Sequence, residues 1–222
     1  MERLPHGYTN RTRLLPDGCI EKVYDGPRRW DNARRELASL TALAGRLCVP
    51  AVVDHDPSRP ATILRALPGR HGQDLLTEQH AVPVLRLVGE TLARLQAIAP
   101  DSVPGLAGAG SVLVHGDFGP QNMLFDLAAG ACGIIDWESA HVGSPIEDLA
   151  WAEWIVRAHH PDAVDALDTL FEGAGQRPPW ARRREAMLQQ QREILAYCES
   201  AGMERSAADW RDRLRATEAW VE

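Results

Sequence analysis

Up to about residue 67 the apolar positions fall in short runs bounded by turn residues, a strand pattern. "CIEKVY", residues 19–24, reads as one strand, entered by a hairpin turn at Pro16-Asp17-Gly18. "AVVDHDPSRPATIL", residues 51–64, reads as two apolar strands with turn residues from Asp54 to Pro60 between them. Between these hairpins the period changes. Trp30, Ala33, Leu37, Leu40 and Ala44 recur at three and four, which predicts a helix over residues 28–44 with that face inward. Pro68 and Gly69 then break the chain. Beyond them the pattern is mostly helical. Leu85, Val88, Leu92, Leu95 and Ile98 share one face of a helix over residues 82–98. Two short apolar strands interrupt, Val112–Val114 and residues 132–135. "GSPIEDLAWAEWIV" opens a helix, with Ser144 as N-cap, Pro145 in the first turn and Glu147 completing a capping box. Further helices are expected over residues 162–171, Trp180–Ser200 and 205–221, and no internal repeat is visible. Strands early and helices late make an α+β chain.

The candidate chemistry sits in "VHGDFGPQNMLFDLAAGACGIIDWE", residues 114–138. His115, Asp117, Asn122 and Asp136 follow one another in a single run, the last at the end of an apolar strand. A hairpin from Asn122 through Asp126 to Ile135 would bring Asn122 and Asp136 side by side. That set suits phosphoryl transfer, which asks for positioning and charge neutralisation more than covalent chemistry. A carboxylate beside an acceptor hydroxyl orients it and takes its proton, a role Asp117 fits. Magnesium prefers hard oxygen ligands, and Asn122 and Asp136 offer an amide oxygen and a carboxylate. Zinc is a poor alternative, because His141, His159 and His160 lack paired ligand spacing with His115.

Composition adds one residue to the list. Of 24 basic side chains only Lys22 is lysine. Where arginine serves everywhere else, a retained lysine points to a site that needs a compact ammonium rather than a planar fork.

Together these motifs resemble the protein kinase-like fold. The H-G-D-x-x-x-x-N loop and the strand ending in I-D-W-E resemble its small-molecule branch, the aminoglycoside phosphotransferases and choline kinases. The resemblance covers most of the chain, with its most specific part over residues 112–151. It implies a two-lobed α+β architecture with a reduced, β-rich N-terminal lobe in residues 1–67 and a mainly helical catalytic and acceptor lobe in residues 68–222. It implies ATP and Mg²⁺ as cofactors and γ-phosphate transfer to a hydroxyl of a small acceptor. Asp117 would be the base, and Asn122 and Asp136 the metal ligands. Lys22 would hold phosphates, positioned by Glu36 on the next helix. Gly7 and Asn10 resemble a G-x-x-N phosphate-covering loop. With six residues ahead of Gly7, the first strand of that lobe is expected to be short or missing. Adenine would lie against a hinge at residues 64–67, including Leu64 and Ala66, where Arg65 departs from the acidic residue common in the family. His115 and Asp148 would brace the catalytic loop.

Two rival readings are a protein kinase and a nucleotide-binding regulator without activity. The loop lacks the arginine of H-R-D, and the gap after Asp136 is too short for an activation segment. A decayed site would have lost its lysine or metal ligands, and none is missing.

Length and charge set the remaining bounds. A chain of 222 residues can bury a sizeable core. No apolar run approaches a membrane span, and the start lacks the apolar core of a signal peptide, so a cytoplasmic protein is expected. Cys19, Cys48, Cys132 and Cys198 show no C-x-x-C spacing and read as reduced thiols, mostly buried. A net charge of −7 without a basic tract argues against nucleic acid. The charge is uneven, +3 over residues 1–67 and −10 over residues 68–222. Two readings stay open: an acidic lobe that draws an amine-bearing acceptor such as an aminoglycoside or amino alcohol, or a solvated acidic surface. Trp180, Trp210 and Trp220 are read as helix-packing aromatics rather than pocket walls.

Overall fold

The computed structural model describes residues 10–222. Gly7, and the expectation about the first strand, lie outside the described residues. The first hairpin is β1 (Arg11–Leu14) and β2 (Cys19–Val23), closed at Gly18 with φ +75°. The second is β3 (Val52–Asp56) and β4 (Ala61–Arg65). The four form one antiparallel sheet in the order β1-β2-β4-β3. β2 is thus paired on both sides, and its register sets Lys22 opposite Thr12 and Thr62. A central strand is buried, which is why Lys22 comes to be only 6% exposed.

Helix α1 (Arg29–Leu43) packs below this sheet, but not on the expected face. Its buried residues are Glu36, Ser39, Leu40 and Leu43, while Trp30 is 42% exposed. The weak apolar stripe loses to a polar contact: the inward face is the one that presents Glu36 to Lys22. A buried carboxylate is tolerable only when paired and hydrogen-bonded, and Glu36 is both.

The second half begins with β5 (Arg70–His71), α2 (Gly72–Thr77) and α3 (Ala81–Gln96). Val84, Leu85, Val88, Leu92 and Leu95 of α3 are fully buried. Each such side chain stabilises the fold by about 1.5–3 kcal/mol. Strand β6 (Val112–Val114) leads into the loop that carries His115, Asp117 and Asn122, and β7 (Met123–Asp126) and β8 (Ala131–Ile134) form the expected hairpin after it. Strand β9 (His141–Gly143) pairs with β6, and α4 (Ile146–His159) follows. The last helices are α5 (Leu167–Ala174), α6 (Trp180–Ser200) and α7 (Glu204–Glu218). Helix α5 lies so close to α3 that a Cβ on Gly89 would meet the Leu170 carbonyl oxygen at 2.2 Å.

Three helix expectations need correction. The helix expected over residues 162–171 is a 3₁₀ run, Pro161–Ala166, followed by α5, which ends at Gly175 in the left-handed region. The last helix stops at Glu218, and beyond it the Trp220 carbonyl accepts from Arg184 and the Glu222 carboxylate from Arg183 and Arg177. Only half of the capping box forms. The Ser144 backbone N–H donates to Glu147 Oε1 at 2.6 Å, but no side chain caps α4, which begins after Pro145.

Candidate active site

The hairpin register decides the centre of the site. Met123 pairs with Ile134, and the Ile135 N–H donates to the Asn122 carbonyl at 2.9 Å, so Asn122 and Asp136 become neighbours. Asp136 itself turns through the left-handed region at φ +66°, a conformation few side chains adopt. It meets Lys22 there, with Nζ to Oδ1 at 2.5 Å. The same ammonium donates to Glu36 Oε2 at 2.5 Å. Glu36 is fixed in turn by the Tyr24 hydroxyl at 2.7 Å and the Trp137 backbone N–H at 3.3 Å. The expected Lys22–Glu36 pairing is present.

A third carboxylate joins this cluster, from a residue to which the sequence reading gave no role. Glu138 lies 3.9 Å from Lys22 Nζ and accepts from the Asn10 amide at 2.7 Å. Asn10, expected in a phosphate loop, thus holds a carboxylate. Carboxylate oxygens of Glu36, Asp136 and Glu138 lie within 4.8 Å of one another. Burial lowers the Lys22 pKa, but Asp136 and Glu36 outweigh it and raise it well above the ordinary value. Burial raises Asp136 as well, and Lys22 outweighs it to leave the carboxyl below its ordinary value. Glu138 is pushed up to about 7, first by burial and then by Asp136 against the pull of Lys22. Three carboxylates around one ammonium leave surplus negative charge, and these hard oxygen donors with the Asn122 amide suit Mg²⁺.

Asp117 stands across the cavity from this cluster. Both of its carboxylate oxygens are held, Oδ2 by the Asn122 amide at 2.8 Å and Oδ1 by the Trp151 indole N–H at 2.7 Å and the Gln121 amide at 3.1 Å. Because the Asn122 nitrogen is used here, its oxygen is the atom left for a cation. Burial pushes Asp117 up to about 6, against the Trp151, Asn122 and Gln121 donors and with help from the Asp136 charge. Trp151 and Gln121 were not picked out from the sequence. Trp151 carried a signal, since it lies one helical turn after Asp148 and so on the same face.

The loop under Asp117 is braced as expected. Asp148 accepts the backbone N–H groups of His115 at 2.7 Å and Gly116 at 3.0 Å. His115 Nδ1 accepts the Asp117 N–H at 3.2 Å, so its proton sits on Nε2, 3.0 Å from the Ile135 carbonyl. Burial lowers its pKa to about 4, and a neutral ring with both nitrogens engaged is a strut. Gly116 has φ +85°, and a Cβ there would lie 2.5 Å from the Ser139 carbonyl.

Lys22, Glu36, Asp117, Asn122, Asp136 and Trp151 line one cavity of about 860 Å³. Leu64, Arg65 and Ala66 line it at the end of β4, and the Arg65 guanidinium donates to the Asp17 carbonyl at 3.1 Å. Trp210 also lines it, which corrects its assignment to packing alone, while Trp180 and Trp220 pack against the Trp151 and Trp154 cluster. Of the acidic residues after residue 67, only Asp117 and Asp136 line the cavity. Others pair with arginine, Glu153 with Arg183 at 2.5 Å and Glu172 with Arg86 at 3.1 Å among them.

The sequence pattern of the phosphotransferase enzyme family matches residues 1–108 and 105–188. The chain belongs to that family. Among curated phosphotransferases, viomycin phosphotransferase of Streptomyces vinaceus is 30% identical over 142 residues, 61% of this chain and 46% of the relative. A probable acyl-CoA dehydrogenase, IBR3 of Arabidopsis thaliana, is 33% identical over 107 residues, 47% of this chain and 12% of the relative. The chain thus spans less than half the length of these relatives. Solved phosphotransferase structures share the fold. The GDP complex of wild-type aminoglycoside 2'-phosphotransferase-IIIa superposes with a TM-score of 0.79 at 15% identity, covering 98% of this chain and 92% of that one. The apoenzyme of macrolide 2'-phosphotransferase MphH from Brachybacterium faecium gives 0.66 at 20% identity, covering 100% and 92%. The two-lobed kinase-like α+β architecture is therefore that of the family.

Proposed function

We propose that this phosphotransferase is a small-molecule kinase, moving the γ-phosphoryl group of ATP to a hydroxyl of a small acceptor. The observation that carries the reading is the convergence of Lys22, Asn122, Asp136 and Asp117 on one cavity. We assign residues 1–67 to nucleotide binding and residues 68–222 to catalysis and the acceptor. Adenine fits the apolar end, at Leu64 and Ala66. Lys22 supplies a compact charge for phosphate oxygens, oriented by Glu36. Mg²⁺ would be held by Asp136 and Asn122, with Glu138 beside them, and would neutralise phosphate charge when bound. Asp117 orients the acceptor hydroxyl and accepts its proton as the new O–P bond forms and the bond to the ADP oxygen breaks. The regulator alternative would predict a lost lysine or metal ligand, yet these residues stand in contact. The surplus acid of residues 68–222, paired with arginine or solvated, is weak support for an amine-bearing acceptor. No helix among the described residues is long and apolar enough to cross a membrane, and four free cysteines fit a cytoplasmic setting. The direct test is acceptor-dependent ADP release across a panel of hydroxylated metabolites and antibiotics, with ATP and Mg²⁺. No release above the acceptor-free rate with any member would count against the reading.

Two expected results follow from the geometry. Lys22→Arg should weaken ATP binding and turnover by about tenfold or more each, near ~1.4 kcal/mol. Its Nζ sits between two carboxylates at 2.5 Å, too close for a planar fork. Full activity in the variant would reduce the sole lysine to an accident of composition.

The second concerns pH. Asp117 must be ionised to take a proton, so kcat/KM should be lost as pH falls through about 6 and level off above it. The Trp151 N–H bond favours the ionised form. Trp151→Phe deletes that donor, so its acid limb should move to higher pH while the plateau falls less. An unmoved limb would show that Trp151 does not position Asp117.

A further inference from the structure

Beyond Asp117 the cavity runs along a wall of three indoles. Trp151 and Trp154 stack with centroids 4.6 Å apart and planes 10° from parallel. Trp210 packs against both, tilted by 29° and 27°, 5.6 Å from Trp154 and 6.1 Å from Trp151. The wall is fixed from behind. Thr217 Oγ1 accepts the Trp154 indole N–H at 2.9 Å and the Gln191 amide at 3.1 Å, which ties α7 to α4 and α6. It also joins the chemistry directly, since the Trp151 N–H holds Asp117. A flat wall that ends at the proton acceptor is where the body of an acceptor rests while its hydroxyl is addressed.

The charge at the far end has the opposite sign from the centre. Arg213 lies over the Trp210 ring at 4.6 Å and lines the cavity. Among the described residues no carboxylate pairs with it, whereas the nearby Arg211 and Arg215 pair with Glu199 and Asp212. His159, edge-on to Trp154 at 5.5 Å, has its pKa lowered by burial and then by Arg213 and His160, so it stays neutral and leaves Arg213 as the charge at this end. The carboxylates lining the cavity are Glu36 and Asp136 at the phosphate end and Asp117 where the wall begins, tied to the Trp151 N–H, and none of them reaches Arg213. A cage for an amine needs open aromatic faces and nearby carboxylates. Here the outer ring is capped by a guanidinium, a plane that itself stacks on a flat ring and repels an amine.

We propose that the indole wall of Trp151, Trp154 and Trp210, closed by the unpaired Arg213, selects a hydroxylated acceptor with a planar apolar ring that is neutral or anionic, and rejects polycations. The proposal rests on the kinase reading for what happens at the hydroxyl, but the subsite itself is a matter of binding. A polycation would bring like charge against Arg213, which has no carboxylate beside it to offset the repulsion.

The test is a matched series of phenyl β-glucosides carrying para hydrogen, carboxylate or aminomethyl, with methyl β-glucoside as the ringless member. Affinities are read by calorimetry on the whole protein. The neutral and carboxylate glucosides should bind about tenfold tighter than methyl glucoside, the gain expected from stacking one ring. The aminomethyl glucoside should bind at least about fivefold weaker than the carboxylate one. Arg213→Glu should invert that charge order and Arg213→Gln should abolish it. Trp210→Leu should shrink the ring gain, with melting curves reporting the folding of each variant. Tightest binding by the aminomethyl glucoside, no advantage of a ring, or a charge order indifferent to Arg213→Glu would each overturn the proposal. ADP release with the same series and with kanamycin separates the two claims. Turnover of kanamycin with a KM below those of the aryl glucosides would retain the kinase and overturn the subsite. The expected binding order without ADP release from any acceptor would retain the subsite and count against the kinase.

Discussion

Asp117→Asn is expected to lower kcat by about 10²–10⁴, the usual cost of removing a positioned acid–base group. The substitution keeps the shape of the side chain, so its effect isolates the proton. Asp117 receives donors on both oxygens, from Asn122 at 2.8 Å and Trp151 at 2.7 Å. An amide can accept on one side only, so one of these bonds must be lost, at about 0.5–1.5 kcal/mol. The fold should survive, because Asp148 rather than Asp117 holds the loop backbone. ATP affinity should stay near wild type, since Lys22 and Asp136 are unchanged. Steady-state kinetics with an acceptor found by the ADP screen gives kcat, and calorimetry gives ATP affinity. Retention of more than half of wild-type kcat would remove Asp117 from the proposed role.

Asp136→Ala is expected to abolish the magnesium dependence of nucleotide binding. Loss of a residue that merely orients a metal ligand costs about 10–100-fold in metal affinity, so loss of a direct carboxylate ligand should cost at least about 100-fold. Lys22 keeps its bond to Glu36 at 2.5 Å, which protects the fold from an unpaired buried ammonium. The variant should therefore still fold and bind ATP weakly. ATP titrations with and without magnesium read the effect. An enhancement by magnesium equal to that of the wild type would exclude Asp136 from the metal site. Glu138→Gln is the informative companion, because Glu138 lies in the same carboxylate cluster.

What could be read in advance follows the range over which each signal acts. The loop of Asp117 and the strand ending at Asp136 were legible because the hairpin between them is local. An apolar strand, a turn and a second strand set the register, and register places Asn122 beside Asp136. Lys22 was legible through composition alone. The inward face of α1 was misread, because its apolar stripe is weak and the contact that orients it comes from another strand. Glu138 stood inside a recognised motif, yet its role depends on Asn10, which is 128 residues away in the chain.

The sequence by itself determined the main strands and helices and the hairpin that brings Asn122 near Asp136, and it picked out Lys22 and Asp117 as candidates for phosphate binding and base. These rest on alternation, turn chemistry and residue type, which act over a few neighbours. The tertiary structure decided where charge and aromatic surface meet the cavity. It turned Glu36 inward, closed a three-carboxylate cluster on Lys22, spent most of the acidic surplus on arginine pairs and solvent, and set Trp210 and Arg213 of α7 beside Trp151 and Trp154 of α4. Helix periodicity shows which residues share a face, but packing across the whole chain chooses what that face meets. The proposed acceptor end of the cavity is built entirely from such meetings.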